Sequence, residues 1–173
     1  GLGDVYKRQM QDIRRNNNKT TNHDSLYCPK KNKAAYEMSI MEGKKRPDMI
    51  EGVICDKIQE HGYRAHTNPP NHPWDITVSL DDKPVRVEVK SALHSGRIYD
   101  TSYSLQNIKP KNFDYLFIVL VTPNGAIIKW AYGEDIKNIV KQRTRHANGF
   151  QLNVHKDKIP DCFYDFDDFP YGD

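Results

Sequence analysis

The chain has 173 residues, a formal net charge of +3 at pH 7, 37% hydrophobic residues and 28% charged residues. These values suit one domain large enough to bury a core, and no stretch approaches the roughly 18 apolar residues of a membrane span. The three cysteines, Cys28, Cys55 and Cys162, are scattered, which argues against a disulfide framework and a paired-cysteine zinc site. We therefore expect reduced thiols and, without an export signal, a cytoplasmic prokaryotic or phage protein with no membrane partner.

The two ends of the chain differ in composition from its middle. Residues 4–9 read DVYKRQ, the translation of a common sequencing-library adapter, so residues 1–9 are predicted to be non-native. Residues 10–31 are polar and predict a loosely attached arm. The predicted domain covers residues 32–160, and an acidic, aromatic tail follows at residues 161–173. The rings of this tail are expected to pack on the domain; alternatively, its charge covers a basic cleft or docks a partner.

Two helices are predicted before the first strand. The first covers Asn32–Glu42 and has its apolar residues on one side. The second begins near Pro47, ends at Gly62 and carries Glu51 early, beside its apolar stripe. The residues of this stripe follow the i, i+3, i+4, i+8 pattern: Ile50, Val53, Ile54 and Ile58.

The hydrophobic period then changes from 3.6 to 2, which predicts a β-hairpin. Ile76–Leu80 and Val85–Lys90 both alternate apolar and polar residues, and the turn signal DDKP lies between them. By parity, Asp75, Glu88 and Lys90 share the polar face. A turn symmetric about Asp82-Lys83 would put Lys90 opposite Asp75 and Glu88 one diagonal step away, roughly 7–8 Å at the backbone.

The rest of the chain completes an α/β (α+β) order, which predicts a central mixed β-sheet flanked by helices. Phe113–Val121 is nearly all apolar, which is typical of a central strand buried on both faces. The weak periodicity of Ser91–Lys111 predicts a loop with a short helix. The remaining predictions are a strand at Ala126–Tyr132, a helix at Glu134–Arg145 and an edge strand through Phe150, Leu152 and Val154.

The tripeptide [DE]xK occurs four times in the chain and indicates little on its own. Only Glu88-Val89-Lys90 lies in a β-branched strand with an aspartate, Asp75, at the matching parity on the preceding strand. Two carboxylates and a backbone carbonyl suit a hard divalent cation, and a nearby ammonium group can orient water and offset phosphate charge. Taken alone, such a strand is more often a solvated sheet face with a surface ion pair.

With its flanking residues, this constellation resembles the PD-(D/E)xK nuclease superfamily, the restriction endonuclease-like class. Pro73-Trp74-Asp75 and Glu88-Val89-Lys90 match its core motif, although the proline lies two residues before the aspartate. Glu51 is similar to the helix-borne glutamate of the family. Downstream, Tyr103-Ser-Leu-Gln106-Asn-Ile108, Phe113-Asp114-Tyr115-Leu116 and Trp130 are similar to a stretch of its restriction-type members, so the resemblance extends over about half of the chain.

The resemblance implies a restriction endonuclease-like core that cleaves DNA with Mg2+, or Mn2+ in its place, and without a nucleotide cofactor. Asp75, Glu88 and the Val89 carbonyl would bind the ion, and Lys90 would orient the attacking water. Cleavage of both strands of a duplex would require a homodimer, because one centre cuts one strand.

The resemblance also implies supporting residues around this centre. Glu51 would hold a second ion or order water, and Gln106 would approach the scissile phosphate. Loop residues after the catalytic strand are expected to touch the DNA backbone, as phosphate-positioning side chains often do around a nuclease cleft. These expected contacts are Ser91, His94, Arg97, Tyr103, Lys109 and Lys111.

Three functions remain open at this point. A restriction-type endonuclease is the leading hypothesis, and a structure-selective repair or recombination nuclease, such as a resolvase or nickase, is the first alternative. The second alternative is a DNA-binding module that keeps the fold without cutting. Asp75, Glu88 and Lys90 count against that module, because a purely structural sheet does not require three such polar groups side by side.

Overall fold

The computed structural model describes residues 27–94, 102–142 and 149–172. Within these ranges, no helix has the length and apolar composition that a membrane crossing needs. The helices are α1 (Lys33–Ile40), α2 (Lys45–Glu60) and α3 (Gly133–Ile136). The strands are β1 (Arg64–Thr67), β2 (Ile76–Leu80), β3 (Lys83–Leu93), β4 (Ser102–Ile108), β5 (Tyr115–Thr122), β6 (Gly125–Tyr132), β7 (Lys141–Gln142), β8 (Phe150–His155) and β9 (Tyr164–Asp165).

The two predicted N-terminal helices are confirmed. The side chain of Asn32 caps α1 by accepting a hydrogen bond from the Ala35 N–H at 2.9 Å. Pro47 lies in the first turn of α2, where its missing N–H costs no helical hydrogen bond. The prediction that Val53 points inward is wrong, since it is 39% exposed. At about 100° per residue, the buried stripe extends towards Cys55 and leaves Val53 outside it.

The larger sheet formed by the described residues has the strand order β1-β2-β3-β5-β6-β9. β3 and β5 run parallel, whereas the other neighbouring strands run antiparallel. A mixed sheet with α2 packed on it confirms the predicted α/β class. Tyr115–Val121 of β5 is buried throughout, as its unbroken apolar run predicts.

The helix α2 packs on one face of this sheet. Ile54 and Ile58 are 1% and 0% exposed. Along β5, alternate side chains point to this face and contribute to the same core. This core contains Ile50, Ile54, Ile58, Ile76, Val78, Val87, Val89, Phe117, Val119 and Val121, among others.

A second sheet, with the order β4-β8-β7, covers the opposite face. The prediction of a loop and a short helix at Ser91–Lys111 missed two strands, because the described part of this stretch contains the end of β3 and the whole of β4. A short 3-10 helix follows at Pro110–Asn112, and residues 95–101 lie outside the described residues. The period of β4 is hidden by a register shift between Leu105 and Ile108, where Asn107 adopts a φ of +59°. The prediction of an edge strand at Phe150–Val154 is also wrong, since β8 lies between β4 and β7.

The helix predicted at Glu134–Arg145 is limited to α3, which ends at Ile136. Ile136 is fully buried, as predicted. Beyond it the chain makes turns, and Lys141 and Gln142 pair with β8. The N–H groups of Ile139 and Val140 both donate to the Ile136 carbonyl, so a hydrogen-bonded turn follows α3 before pairing with β8 begins at Lys141. Residues 143–148 lie outside the described residues.

The C-terminal segment supplies rings to the main core. Phe169 is 2% exposed, and its ring centre lies 5.1–5.6 Å from those of Tyr115, Phe117 and Trp130. The Trp130 indole N–H donates to the Asp165 carbonyl at 2.8 Å. The C-terminal segment is therefore attached to the domain mainly by the packing of its aromatic rings rather than by its charge.

We expect Phe169→Ala to lower the free energy of unfolding by about 3–5 kcal/mol, because it empties a site enclosed by aromatic rings. Urea denaturation followed by circular dichroism measures this effect. Tyr171→Ala is the control, since Tyr171 is 64% exposed and its loss should cost less than about 1 kcal/mol. Equal stability of Phe169→Ala and the wild type would show that the segment does not pack on the core in solution.

Candidate active site

The β2–β3 hairpin sets the positions of the candidate catalytic residues. Ile76 lies opposite Val87, and Leu80 lies opposite Lys83. The turn is therefore Asp81-Asp82, with φ values of +50° and +62°, which fits a two-residue type I′ turn. The predicted symmetry about Asp82-Lys83 is wrong by two residues in register. Because the error is even, the prediction of a shared polar face is unaffected.

The corrected register brings Asp75 beside Glu88 rather than opposite Lys90. The Asp75 N–H donates to the Val87 carbonyl at 3.1 Å. The Asp75 carboxylate Oδ2 accepts a hydrogen bond from the Val89 N–H at 2.8 Å. These two bonds fasten Asp75 to the residues on either side of Glu88, so the two carboxyl groups lie close together. Lys90 is the next residue along the same face of β3.

The Glu88 carboxyl group is strongly perturbed. Its pKa is raised from 4.5 to about 9, first because burial disfavours the charged form. The neighbouring Asp75 carboxyl adds a hydrogen bond and negative charge, and Glu51 adds further negative charge. The ammonium group of Lys90 opposes these effects and lowers the pKa of Glu88. Three acids and one cation thus act on one another at this point.

Glu51 joins this group from α2. Its pKa is raised from 4.5 to about 7, first by burial and then by the charge and hydrogen bonding of Asp75. Asp48, one turn earlier on the helix, adds negative charge, and Lys90 again acts in the opposite direction. The structure therefore places Glu51 beside the hairpin acids, and its role there stays a prediction. We call Glu51, Asp75, Glu88 and Lys90 the acidic cluster.

The donor set of the acidic cluster fits a divalent cation. Carboxyl groups that repel one another resist ionisation. A cation placed between them removes this repulsion and stabilises their charged forms. Within the described ranges, no three His, Cys, Asp or Glu side chains form a ready-made ligand set. A small number of carboxylate ligands suits an ion that keeps several waters, as Mg2+ usually does. The Val89 carbonyl as the third ligand stays a prediction.

The metal-free protein should lose stability as the pH rises. An unfolded glutamate releases its proton near pH 4.5, whereas folded Glu88 keeps it until about pH 9. Between these values the folded state binds more protons, so the free energy of unfolding falls with rising pH. We expect the melting temperature in EDTA to fall more steeply from pH 5 to pH 8.5 in the wild type than in Glu88→Gln. Parallel curves for the two proteins would contradict the perturbed pKa of Glu88.

A Pro-rich bend, residues 68–74, holds the backbone around Asp75, and sequence reasoning missed its role. The Asn68 N–H donates to the Asp75 carbonyl at 2.9 Å. The side-chain amide of Asn68 donates to the Trp74 carbonyl at 3.2 Å and to the Thr77 hydroxyl at 3.1 Å. The Trp74 indole N–H also donates to the Thr77 hydroxyl, at 2.9 Å. Asn68 therefore positions a candidate metal ligand, as second-layer hydrogen bonds commonly do.

Arg86 and Asp114 fix the start of β3 against the start of β5. The Arg86 guanidinium group donates to both carboxylate oxygens of Asp114, at 3.3 and 3.0 Å. The Arg86 N–H also donates to the Asp114 carboxylate, and the Asp114 N–H donates to the Arg86 carbonyl. Burial would raise the pKa of Asp114, but the hydrogen bonds and charge of Arg86 hold it below its ordinary value. Asp114 and the fully buried Trp130, both part of the downstream resemblance, thus have structural roles here.

Two of the expected DNA contacts are contradicted by burial. Tyr103 is 1% exposed and its hydroxyl donates to the Val121 carbonyl, so it belongs to the core between the sheets. His94 is 7% exposed and lies against Tyr103. Both were predicted as surface contacts because the stretch was taken for a loop, whereas Tyr103 lies on β4, His94 directly follows β3, and both side chains are buried.

The other predicted residues remain predictions. Lys109 and Lys111 are exposed beside the start of β5, and Ser91 is half-buried on β3. Gln106 is exposed on β4, at the register shift of that strand. Arg97 lies outside the described residues. The structure thus brings together the acidic cluster and leaves the wider substrate surface to experiment.

Comparison with known proteins gives one structural relative of interest. No protein-family model matches the chain. No curated protein matches its sequence either. Its fold is similar to that of a bacterial homing endonuclease, I-Ssp6803I, with a TM-score of 0.50 and 12% sequence identity, over 69% of this chain and 84% of that one. At this identity the similarity concerns the fold, and it supports the mixed α/β architecture.

Proposed function

We propose that this chain is a divalent-metal-dependent endodeoxyribonuclease of the PD-(D/E)xK type. The observation that carries the proposal is that Glu51, Asp75, Glu88 and Lys90 lie close enough to act on one another. They meet beside the start of β2 and the adjacent part of β3. Three acids beside one ammonium group are costly to a metal-free fold. Perturbed acids of this kind cluster at functional sites, which favours a catalytic centre over a solvated sheet face.

Each residue has a role in this proposal. Asp75 and Glu88, together with the Val89 carbonyl, would hold the ion, and Glu51 would order water or a second ion beside it. A bound Mg2+ or Mn2+ supplies charge stabilisation on the phosphate oxygens and a more acidic water. Lys90 orients the attacking water and offsets the negative charge that develops on the phosphate. The hydrogen bonds that fasten Asp75 to β3 keep the carboxylates in place during the reaction.

The substrate is proposed to be DNA. The similar fold belongs to a protein described as a homing endonuclease, which supports a nucleic acid as substrate without fixing its form. The restriction-type hypothesis predicts cleavage of an intact duplex. The structure-selective alternative predicts cleavage at unpaired or branched sites, and a feature of the structure that favours it is described below.

The proposal is tested by incubating the protein with supercoiled plasmid, linear duplex and branched DNA, in Mg2+ and in EDTA. We expect cleavage of at least one of these substrates in Mg2+ and none in EDTA. The pattern of substrates cut separates the restriction-type from the structure-selective hypothesis. Tight DNA binding without cleavage in Mg2+ or Mn2+ would exclude both nuclease hypotheses and leave the non-cleaving DNA-binding module.

A further inference from the structure

A cleft of about 550 Å3 opens directly beside the acidic cluster. The N-terminal half of α2 forms one wall, and the Pro-rich bend forms the other. Asp75 and Glu51, two members of the acidic cluster, line the cleft, so a substrate group in the cleft is adjacent to the proposed scissile phosphate. The residues used below all line it: Glu51, Gly52, Asn68, Asn71, His72 and Trp74.

The two walls of the cleft differ in charge. The α2 wall carries Asp48 and Glu51, with Lys44 at the start of the helix. The opposite wall, residues 67–74, has no Asp, Glu, Lys or Arg and is made of prolines, amides, a histidine and a tryptophan. A phosphate would be repelled by the acids of the first wall. A neutral, planar, hydrogen-bonding group such as a nucleobase suits the second wall better.

Gly52 lies in the α2 wall of this cleft and faces open space. It lies in the interior of α2, where glycine is among the least favourable residues. Its backbone does not require glycine, because its φ lies outside the left-handed range, and a Cβ placed there would meet no heavy atom within 4 Å. Gly52 therefore faces open space, and a side chain as large as leucine would extend into the cleft.

Trp74 offers a fixed aromatic surface on the opposite wall. Its indole N–H is already bonded to the Thr77 hydroxyl. The His72 ring lies edge-on at a centroid distance of 4.3 Å, and the Arg86 guanidinium carbon lies 5.9 Å from the Trp74 ring centre. These contacts hold the ring in place and cover part of its surface, so a base would contact the part of Trp74 that lines the cleft. Bases stack well on such rings, and stacking depends little on sequence.

We propose that this cleft binds one unpaired nucleotide of the DNA strand next to the scissile phosphate, with its base against Trp74. The inference rests on the proposed nuclease function and specifies its substrate class: DNA that is single-stranded, mismatched or branched at the cut site. The volume is in the range of small-molecule pockets. A base-paired nucleotide reaches such a pocket only by leaving the helix, which is easiest where pairing is already absent.

The inference is tested by DNA binding in Ca2+, measured by fluorescence anisotropy. The probes are a labelled duplex, the same duplex with one bulged nucleotide, and a third with an abasic bulge. We expect the wild type to bind the nucleotide bulge about tenfold more tightly than the other two probes. Equal affinity for all three would overturn the inference.

Two pairs of variants locate the effect. Gly52→Leu fills the cleft and should abolish the preference for the bulge, whereas Val53→Leu adds the same residue outside the cleft and should keep it. Trp74→Ala should also lose the preference, and Trp74→Phe should retain it because a ring remains. Gly52→Leu should show an unchanged rise of the melting temperature in Ca2+, which separates loss of the cleft from damage to the acidic cluster.

The outcomes distinguish this inference from the proposed function. Metal-dependent cleavage without a bulge preference would overturn the inference and leave the nuclease function standing. A bulge preference that Gly52→Leu removes, without cleavage of any DNA, would support the cleft and refute the nuclease function. A preference that survives both Gly52→Leu and Trp74→Ala would overturn the assignment of this cleft.

Discussion

Replacing Lys90 with alanine is expected to lower the rate of Mg2+-dependent DNA cleavage by about 10²–10³-fold, the usual effect of removing one group that stabilises charge in a transition state. The Lys90 ammonium group lowers the pKa of both Glu51 and Glu88, so its charge acts on the whole acidic cluster. A phosphate held there would receive the same charge. The measurement is the initial rate of cleavage of the preferred substrate.

Lys83→Ala is the matched control for this experiment. Lys83 is an exposed lysine at the other end of β3, next to the hairpin turn. The Lys83→Ala variant should cleave DNA at the wild-type rate. Circular dichroism should show that both variants remain folded. Wild-type cleavage by a folded Lys90→Ala variant would remove Lys90 from the catalytic centre.

Replacing Glu88 with glutamine is expected to abolish the stabilisation that divalent cations give to the wild type. An ion bound only to the folded state, at about 100 times its dissociation constant, adds about 2.7 kcal/mol. For a chain of this size, that free energy corresponds to a rise in melting temperature of roughly 5–10 °C. Thermal denaturation in Mg2+, Ca2+ and EDTA measures the rise.

Glutamine preserves the shape of Glu88 but removes its charge, so Glu88→Gln should be at least as stable as the wild type in EDTA at pH 8. Its melting temperature should then change little when Mg2+ or Ca2+ is added. Glu60→Gln, an exposed change at the end of α2, should keep the full cation response. A full response in Glu88→Gln, or none in the wild type, would contradict a metal site at the acidic cluster.

The two faces of the β2–β3 hairpin could be predicted from sequence, but the register of its strands could not. Alternation along β2 and β3 is a local signal, and it places Asp75, Glu88 and Lys90 on one face for any register that differs by an even number of residues. The register depends on the turn, and Asp81-Asp82 lacks the glycine that usually marks a type I′ turn. The resulting error of two residues exchanged the neighbours of Asp75 without changing the face.

The second sheet could not be predicted because its signals are interrupted. In β4, the register shift before Ile108 breaks the alternation that begins with Tyr103 and Leu105. The stretch therefore has no single period, and its burial depends on pairing with β8, which lies far along the sequence.

The hydrogen bonds by which Asn68 positions Asp75 could not be predicted from the sequence either. An asparagine before two prolines predicts a turn, and nothing local indicates that it bonds to Trp74, Asp75 and Thr77. The same holds for Gly52, whose importance follows only from the open space beside it. Sequence therefore identified the groups that carry charge, whereas the structure identified what holds them and what they face.

The most direct test of the metal centre is a crystal of the protein soaked in Mn2+, with anomalous scattering recorded to locate the ion. We predict an anomalous peak within ligand distance of the Asp75 and Glu88 carboxylates, with the Lys90 ammonium group beside it. Density that places the ion elsewhere, or carboxylates that remain without an ion at saturating Mn2+, would contradict the account.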